Sequence, residues 1–160
     1  MPSGENSVRA LFSPVVTDRT YPPETRIIMN KQKIFSVEEI NRLLPKLSTD
    51  LEMLRSQKEE LLLLQAHIDA AELIAEAKDP KQADDLKSQV DAYQRKVQSF
   101  YLKMESIESA GALIKDIDAG LIDFYSMRQD RLIFLCWKLG EESVQFWHEI
   151  EDGFAGRQPL

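Results

Sequence analysis

The sequence predicts an α+β fold: a long antiparallel two-helix hairpin of coiled-coil character, then a small C-terminal antiparallel β region with one short helix. Three observations predict it. Ser36-Val37-Glu38-Glu39 is a helix-opening capping box. Two runs of apolar residues then recur at spacings of three and four, divided by Asp79-Pro80. From Gly111 onward the helical period gives way to short segments rich in Leu, Ile, Phe and Tyr, parted by turn residues.

Residues 1–31 read as a disordered tail, because Pro2, Gly4, Pro14 and Pro22-Pro23 punctuate them and no period is sustained. Met29 directly precedes the first patterned segment and reads as an alternative start, which would leave residues 1–28 outside the functional protein. Residues 32–110 form the hairpin. Lys33-Ile34-Phe35 reads as a short strand, and Phe35 and Ile40 occupy the two positions of a hydrophobic staple around the capping box.

The first helix, roughly 37–77, carries Ile40, Leu44, Leu47, Leu51 and Leu54 on one stripe; the companion position turns polar at Lys58 and Gln65, and the seam shifts round the helix to Leu61, Leu64, Ile68, Ala71 and Ala75. Pro45 lies inside it and removes one backbone donor, so a kink is expected there. The second helix, roughly 82–109, has a clean seam of Leu86, Val90, Tyr93, Val97, Phe100, Met104 and Ile107, and Gly111 is its stop. At 1.5 Å per residue the helices measure about 60 Å and about 42 Å. The first therefore overhangs at its N-terminal end, and the C-terminal region, which emerges there, is expected to cover it.

Residues 111–160 form a head that packs on the hairpin end as part of one structural domain. Segments 112–117, 121–125 and 131–137 read as strands, the last two as a hairpin across Arg128-Gln129-Asp130. Residues 141–150 read as the short helix, and Gly153 and Gly156 mark an irregular end.

Bulk properties narrow the function. The chain has 160 residues and a net charge of −7, with no local basic patch to attract nucleic acid or anionic lipid. No strictly apolar run approaches the ~20 residues that span a membrane, and no signal peptide is legible. One cysteine, Cys136, cannot form an intramolecular disulfide, which suits a reducing cytoplasm. Phosphate-cradling glycine loops are absent.

Several motifs point to a family. They are Phe35-Ser36-Val37-Glu38-Glu39 with Leu43-Leu44-Pro45, then Gly120-Leu121-Ile122-Asp123-Phe124, then Leu135-Cys136-Trp137-Lys138-Leu139-Gly140-Glu141. Trp147-His148-Glu149 and Gly153-Phe154-Ala155-Gly156-Arg157 complete the pattern. Over residues 33–160 the chain resembles the prokaryotic domain-of-unknown-function family number twenty-two-oh-three. The resemblance implies a small bacterial protein and carries no activity with it.

Chemistry-bearing side chains concentrate in the last third: Asp116, Asp118, Asp123, Glu141, His148, Glu149, Glu151 and Asp152. One reading is a divalent-metal site, of a metal-binding protein or a metal-dependent enzyme, with His148 and carboxylates from Asp116, Asp123, Glu141 or Glu149 holding zinc, manganese or iron. Acid/base chemistry without metal is a second reading. The third is structural: Trp137 and Trp147 in the core, His148 bridging backbone groups, Asp118 capping the turn before Gly120, and Arg157 pairing an acid or contacting an anion. Cys136 reads as a buried small apolar residue. Leu62, Leu63, Leu73, Ile74 and Tyr101 are left over by the hairpin seam and call for a second hairpin. The favoured reading is a non-enzymatic interaction or scaffold module, a homodimer or the binder of another protein, with the metal-binding protein as the alternative.

Overall fold

A computed structural model describes residues 22–74 and 80–160. Helix α1 is Pro23–Lys31, α2 is Val37–Ile74 and α3 is Pro80–Ser109. Five strands follow: β1 Leu113–Asp116, β2 Leu121–Arg128, β3 Arg131–Lys138, β4 Phe146–Glu149 and β5 Gln158–Pro159, with a 3-10 turn at Phe154–Gly156 before the last. The fold is α+β, a helical hairpin followed by an all-antiparallel sheet in the order β1-β2-β3-β4-β5. No helix among the described residues is long and apolar enough to cross a membrane.

The capping box forms as the sequence predicts. The Ser36 N–H donates to Glu39 Oε2 at 2.9 Å, and the Glu39 N–H donates to Ser36 Oγ at 3.2 Å. Helix α2 continues through Pro45. Its stripe Ile40, Leu44, Leu47, Leu51 and Leu54 is buried against Ile107 of α3 and against the sheet residues Ile122, Phe124, Ile133, Leu135, Trp137 and Trp147. The N-terminal overhang is thus covered by the head. Asp50 is buried on α2 and accepts from Lys46 and, at 3.0 Å, from Lys103 of α3. Gly111 ends α3 at φ +95°, and a Cβ there would lie 2.7 Å from the Phe35 ring.

Three expectations are corrected. Residues 23–31 were assigned to the tail but are helical; Pro23 sits at the start of the helix, where its missing N–H costs nothing, and Glu24 and Lys31 complement the dipole at the two ends. Residues 1–21 lie outside the described residues. Phe35 joins no strand: its N–H donates to the Tyr125 carbonyl at 2.8 Å, and its own carbonyl accepts from Ser126 Oγ at 2.7 Å. The helix expected over 141–150 is instead an irregular stretch leading into β4. There the backbone groups find partners outside a helix: Trp137 Nε1 donates to the Glu141 carbonyl, Val144 N–H donates to Asn41 Oδ1, and β4 pairs with the open edge of β3.

The β2–β3 hairpin turns on two residues, Gln129 (φ 49°) and Asp130 (φ 59°), both left-handed, the geometry that matches the strand twist. Register follows from this turn. Counting outward, Arg128 faces Arg131, Tyr125 faces Phe134, and Asp123 faces Cys136. Alternation then splits the sheet. Ile122, Phe124, Ile133, Leu135, Trp137 and Trp147 point to the helices. Asp123, Tyr125, Phe134, Cys136 and His148 take the opposite face.

Candidate metal centre

That opposite face is built for a buried polar cluster. Asp123 on β2 and Cys136 on β3 are direct cross-strand partners, and His148 on β4 stands opposite Phe134, one pleat along from Cys136. Ring contacts from Tyr125 to Phe134 (4.7 Å) and from Phe134 to His148 (5.4 Å) form an aromatic wall beside the three. Ile150, Asp152 and Phe154 after β4 line a cleft beside this face, and Asp123, Cys136 and His148 are only 3%, 1% and 2% exposed.

One ligand atom from each of these residues lies within 4.8 Å of the others. His148 Nδ1 is 2.8 Å from the Glu149 carbonyl oxygen, which only an N–H at that position satisfies. Nε2 is thereby turned to Asp123 Oδ2, 3.2 Å away. A histidine whose second ring nitrogen donates to a backbone carbonyl is oriented as metal-ligating histidines are. Asp123 Oδ1 is buried with no hydrogen-bond partner. Three electron-pair donors and an orphaned carboxylate oxygen meet in one small space, which suits a cation.

Cys136 is held as a thiol: burial, and then the negative charge of Asp123, push its pKa up to about 12. It presents no thiolate nucleophile near neutral pH. A coordinated ion changes that, because a ligating thiol is deprotonated outright. Lys115 Nζ lies 3.8 Å from Asp123 Oδ2 and 4.6 Å from the Phe134 ring centroid, giving the carboxylate a partial, half-exposed counter-charge. A cleft of about 290 Å³ reaches the cluster, lined by Lys115, Asp116, Asp123, Phe134, Cys136 and Phe154 among others. Arg157 braces the wall from behind. Its Nη2 donates to the Cys136 carbonyl at 3.2 Å and to Glu141 Oε2 at 2.8 Å, and its guanidinium stacks 4.2 Å from the Phe146 ring.

Of the five residues named as metal ligands from sequence, the fold brings Asp123 and His148 together. Asp116 lines the same cleft, but its Oδ1 accepts from the Ala119 N–H inside the β1–β2 turn. Glu141 faces Arg157 and accepts from the Lys138 N–H, and Glu149 pairs with Arg131 at 2.9 Å. Both are committed elsewhere and do not join the cluster. Asp118 does not cap the turn before Gly120, a role Asp116 takes; it pairs with Lys58. Trp137 and Trp147 are core residues, and Arg157 pairs with an acid. Cys136 was read as an apolar filler. The two-residue turn was its signal, since outward counting from Gln129-Asp130 places it opposite Asp123.

With sulfur among the donors, the set favours zinc or iron and disfavours manganese, which prefers oxygen. Residues 33–160 match the model of a family described as an uncharacterized conserved protein, DUF2203. No curated protein and no solved structure matches the chain.

Proposed function

We propose that this chain, a member of the DUF2203 family, is a metal-binding protein whose sheet holds one zinc or iron ion with Asp123, Cys136 and His148. The observation that carries the reading is the convergence of three buried donor atoms around a histidine whose other nitrogen is tied to a carbonyl. Asp123 Oδ1 is buried without a hydrogen-bond partner, which leaves it a lone pair to offer a cation. The thiol ligand suits the reducing cytoplasm that the single cysteine suggests.

Calorimetric titration of chelator-treated protein with zinc tests this. One ion per chain is expected, with at least a tenfold loss of affinity for Cys136→Ser and for His148→Ala. Glu141→Gln, at the residue bound to Arg157, should leave the affinity unchanged. Equal affinity in all four proteins would dismiss the site.

A second reading concerns assembly, and a specific observation favours it. Leu62, Leu63, Leu73 and Ile74 are 63%, 74%, 89% and 80% exposed along the far half of α2, and Tyr101 and Leu102 are exposed on α3. Isolated exposed apolar residues are ordinary, but a run on one coiled-coil-like hairpin is what a second copy would cover in a two-fold dimer. In this reading the hairpin is the interaction arm and the sheet carries the ion. A monomeric mass by light scattering at micromolar concentration would reject it.

A further inference from the structure

The cleft beside the cluster has a composition of its own. Besides Asp123 and Cys136, it is lined by Leu121, Phe134, Ile150 and Phe154, and by three charged side chains, Lys115, Asp116 and Asp152. We infer that the ion keeps one position open toward this cleft and that a small amphoteric molecule of free amino-acid type binds there, its carboxylate on the ion. The inference rests on the metal reading above and goes beyond it in naming a ligand.

Openness follows from counting donors. Among the described residues, the cluster offers three protein ligand atoms, and no fourth acidic, histidine or cysteine side chain joins them. Zinc held by three protein ligands completes its shell with water or an exogenous group. Asp123 and Cys136 both line the cleft, so the fourth position is reachable from solvent through it.

Charge and shape set the ligand class. The Asp123 carboxylate and a metal-bound Cys136 thiolate together neutralise a divalent ion. Lys115 then supplies one positive charge beside the ion, and Asp116 and Asp152 add two negative charges to the cleft wall. A simple anion would meet the two acids, and a simple amine would have nothing for the ion or for Lys115. A molecule bearing both a carboxylate and an ammonium satisfies all of them. The apolar walls accept a hydrocarbon side chain, and a volume of about 290 Å³ suits a single small molecule.

The position of Asp152 is itself prepared. A Cβ on Gly156 would fall 2.6 Å from Asp152 Cβ and 3.1 Å from its Oδ2, so glycine at 156 lets the carboxylate sit close against the 3-10 turn. Any larger residue there would displace it.

Cobalt-loaded full-length protein provides the test, because the visible bands of cobalt report changes in its coordination. The protein would be titrated with leucine, with 4-methylpentanoate, which lacks the amine, and with 3-methylbutylamine, which lacks the carboxylate. Leucine is expected to shift the bands saturably. The acid should need about tenfold more and the amine should have no effect. The sulfur-to-cobalt band should persist throughout, showing that the ion stays on Cys136. Asp116→Asn combined with Asp152→Asn should weaken leucine about tenfold and strengthen the acid, whose carboxylate no longer meets two negative side chains. Leucine acting no better than the acid, or stripping the cobalt, would overturn the ligand class. Failure of both leucine and azide to alter the bands would overturn the open position. Absence of cobalt binding altogether would instead reject the metal reading.

Discussion

Replacing Asp123 with Asn separates a carboxylate kept for metal from one kept for stability. Asp123 is 3% exposed and its Oδ1 accepts no hydrogen bond; its Oδ2 faces His148 Nε2 at 3.2 Å, a cation only when that ring is protonated, and the half-exposed Lys115 at 3.8 Å. Leaving a buried polar atom unsatisfied costs about 1–3 kcal/mol, and more when it is charged. In the metal-free protein with a neutral His148, an asparagine removes the charge. Its Nδ2 can donate across the 3.2 Å gap to His148 Nε2 while His148 Nδ1 keeps its bond to the Glu149 carbonyl. The substitution should therefore stabilise the metal-free protein by about 1–3 kcal/mol. For a chain of this size each kcal/mol moves the melting temperature by about 2–4 °C. Calorimetric melting in chelator should then show a rise of several degrees. Zinc at 100 times its dissociation constant should stabilise the natural protein by about 2.7 kcal/mol and the Asn variant hardly at all. A fall of several degrees in chelator would refute the reasoning and make Asp123 a structural partner of His148.

Further predictions concern the frame around the site. Gly120→Ala adds a Cβ 2.5 Å from Leu139 Cβ at φ +69°, so backbone strain of about 1–2 kcal/mol and overpacking of about 1–3 kcal/mol combine. Gly140→Ala, at φ +97° with nothing within 4 Å, should cost the strain alone, and urea unfolding should rank the two accordingly. Burial would raise the Asp50 pKa, but hydrogen bonds from Lys46 and Lys103 win and hold it below the usual carboxylate range. Its contribution is therefore complete at neutral pH and is lost as pH falls through and below about 3.8, the ordinary Asp value. Lys103→Met should destabilise the protein at pH 7 and lose that difference in acid, as pH-dependent denaturation would record. Ser36→Ala removes the capping acceptor for the Glu39 N–H and should cost about 1 kcal/mol in the same urea assay.

What was legible in the sequence was what is local. The hairpin seam was readable because Leu86 through Ile107 repeat within one helix, and the capping box because its partners are three residues apart. Pro22-Pro23 was read as a breaker, yet at a helix start proline is favourable, and α1 begins there. Strand β4 escaped because Val144 and Trp147, three apart and both buried, imitate a helical face, while its true partners lie upstream on β3, from Cys136 opposite Phe146 to Ile133 opposite Glu149. The site was half visible for the same reason. Asp123 and His148 stand out by residue type, but Cys136 becomes a ligand only through register, in a strand whose two faces are both buried from Leu132 to Trp137.

The most direct test of the central claim is the metal content of the purified, untagged protein, measured by elemental mass spectrometry against protein concentration and compared with Cys136→Ser and His148→Ala. The account expects close to one zinc or iron per chain in the natural protein and a large loss in both variants. No metal after reconstitution, or the same metal in all three, would contradict it.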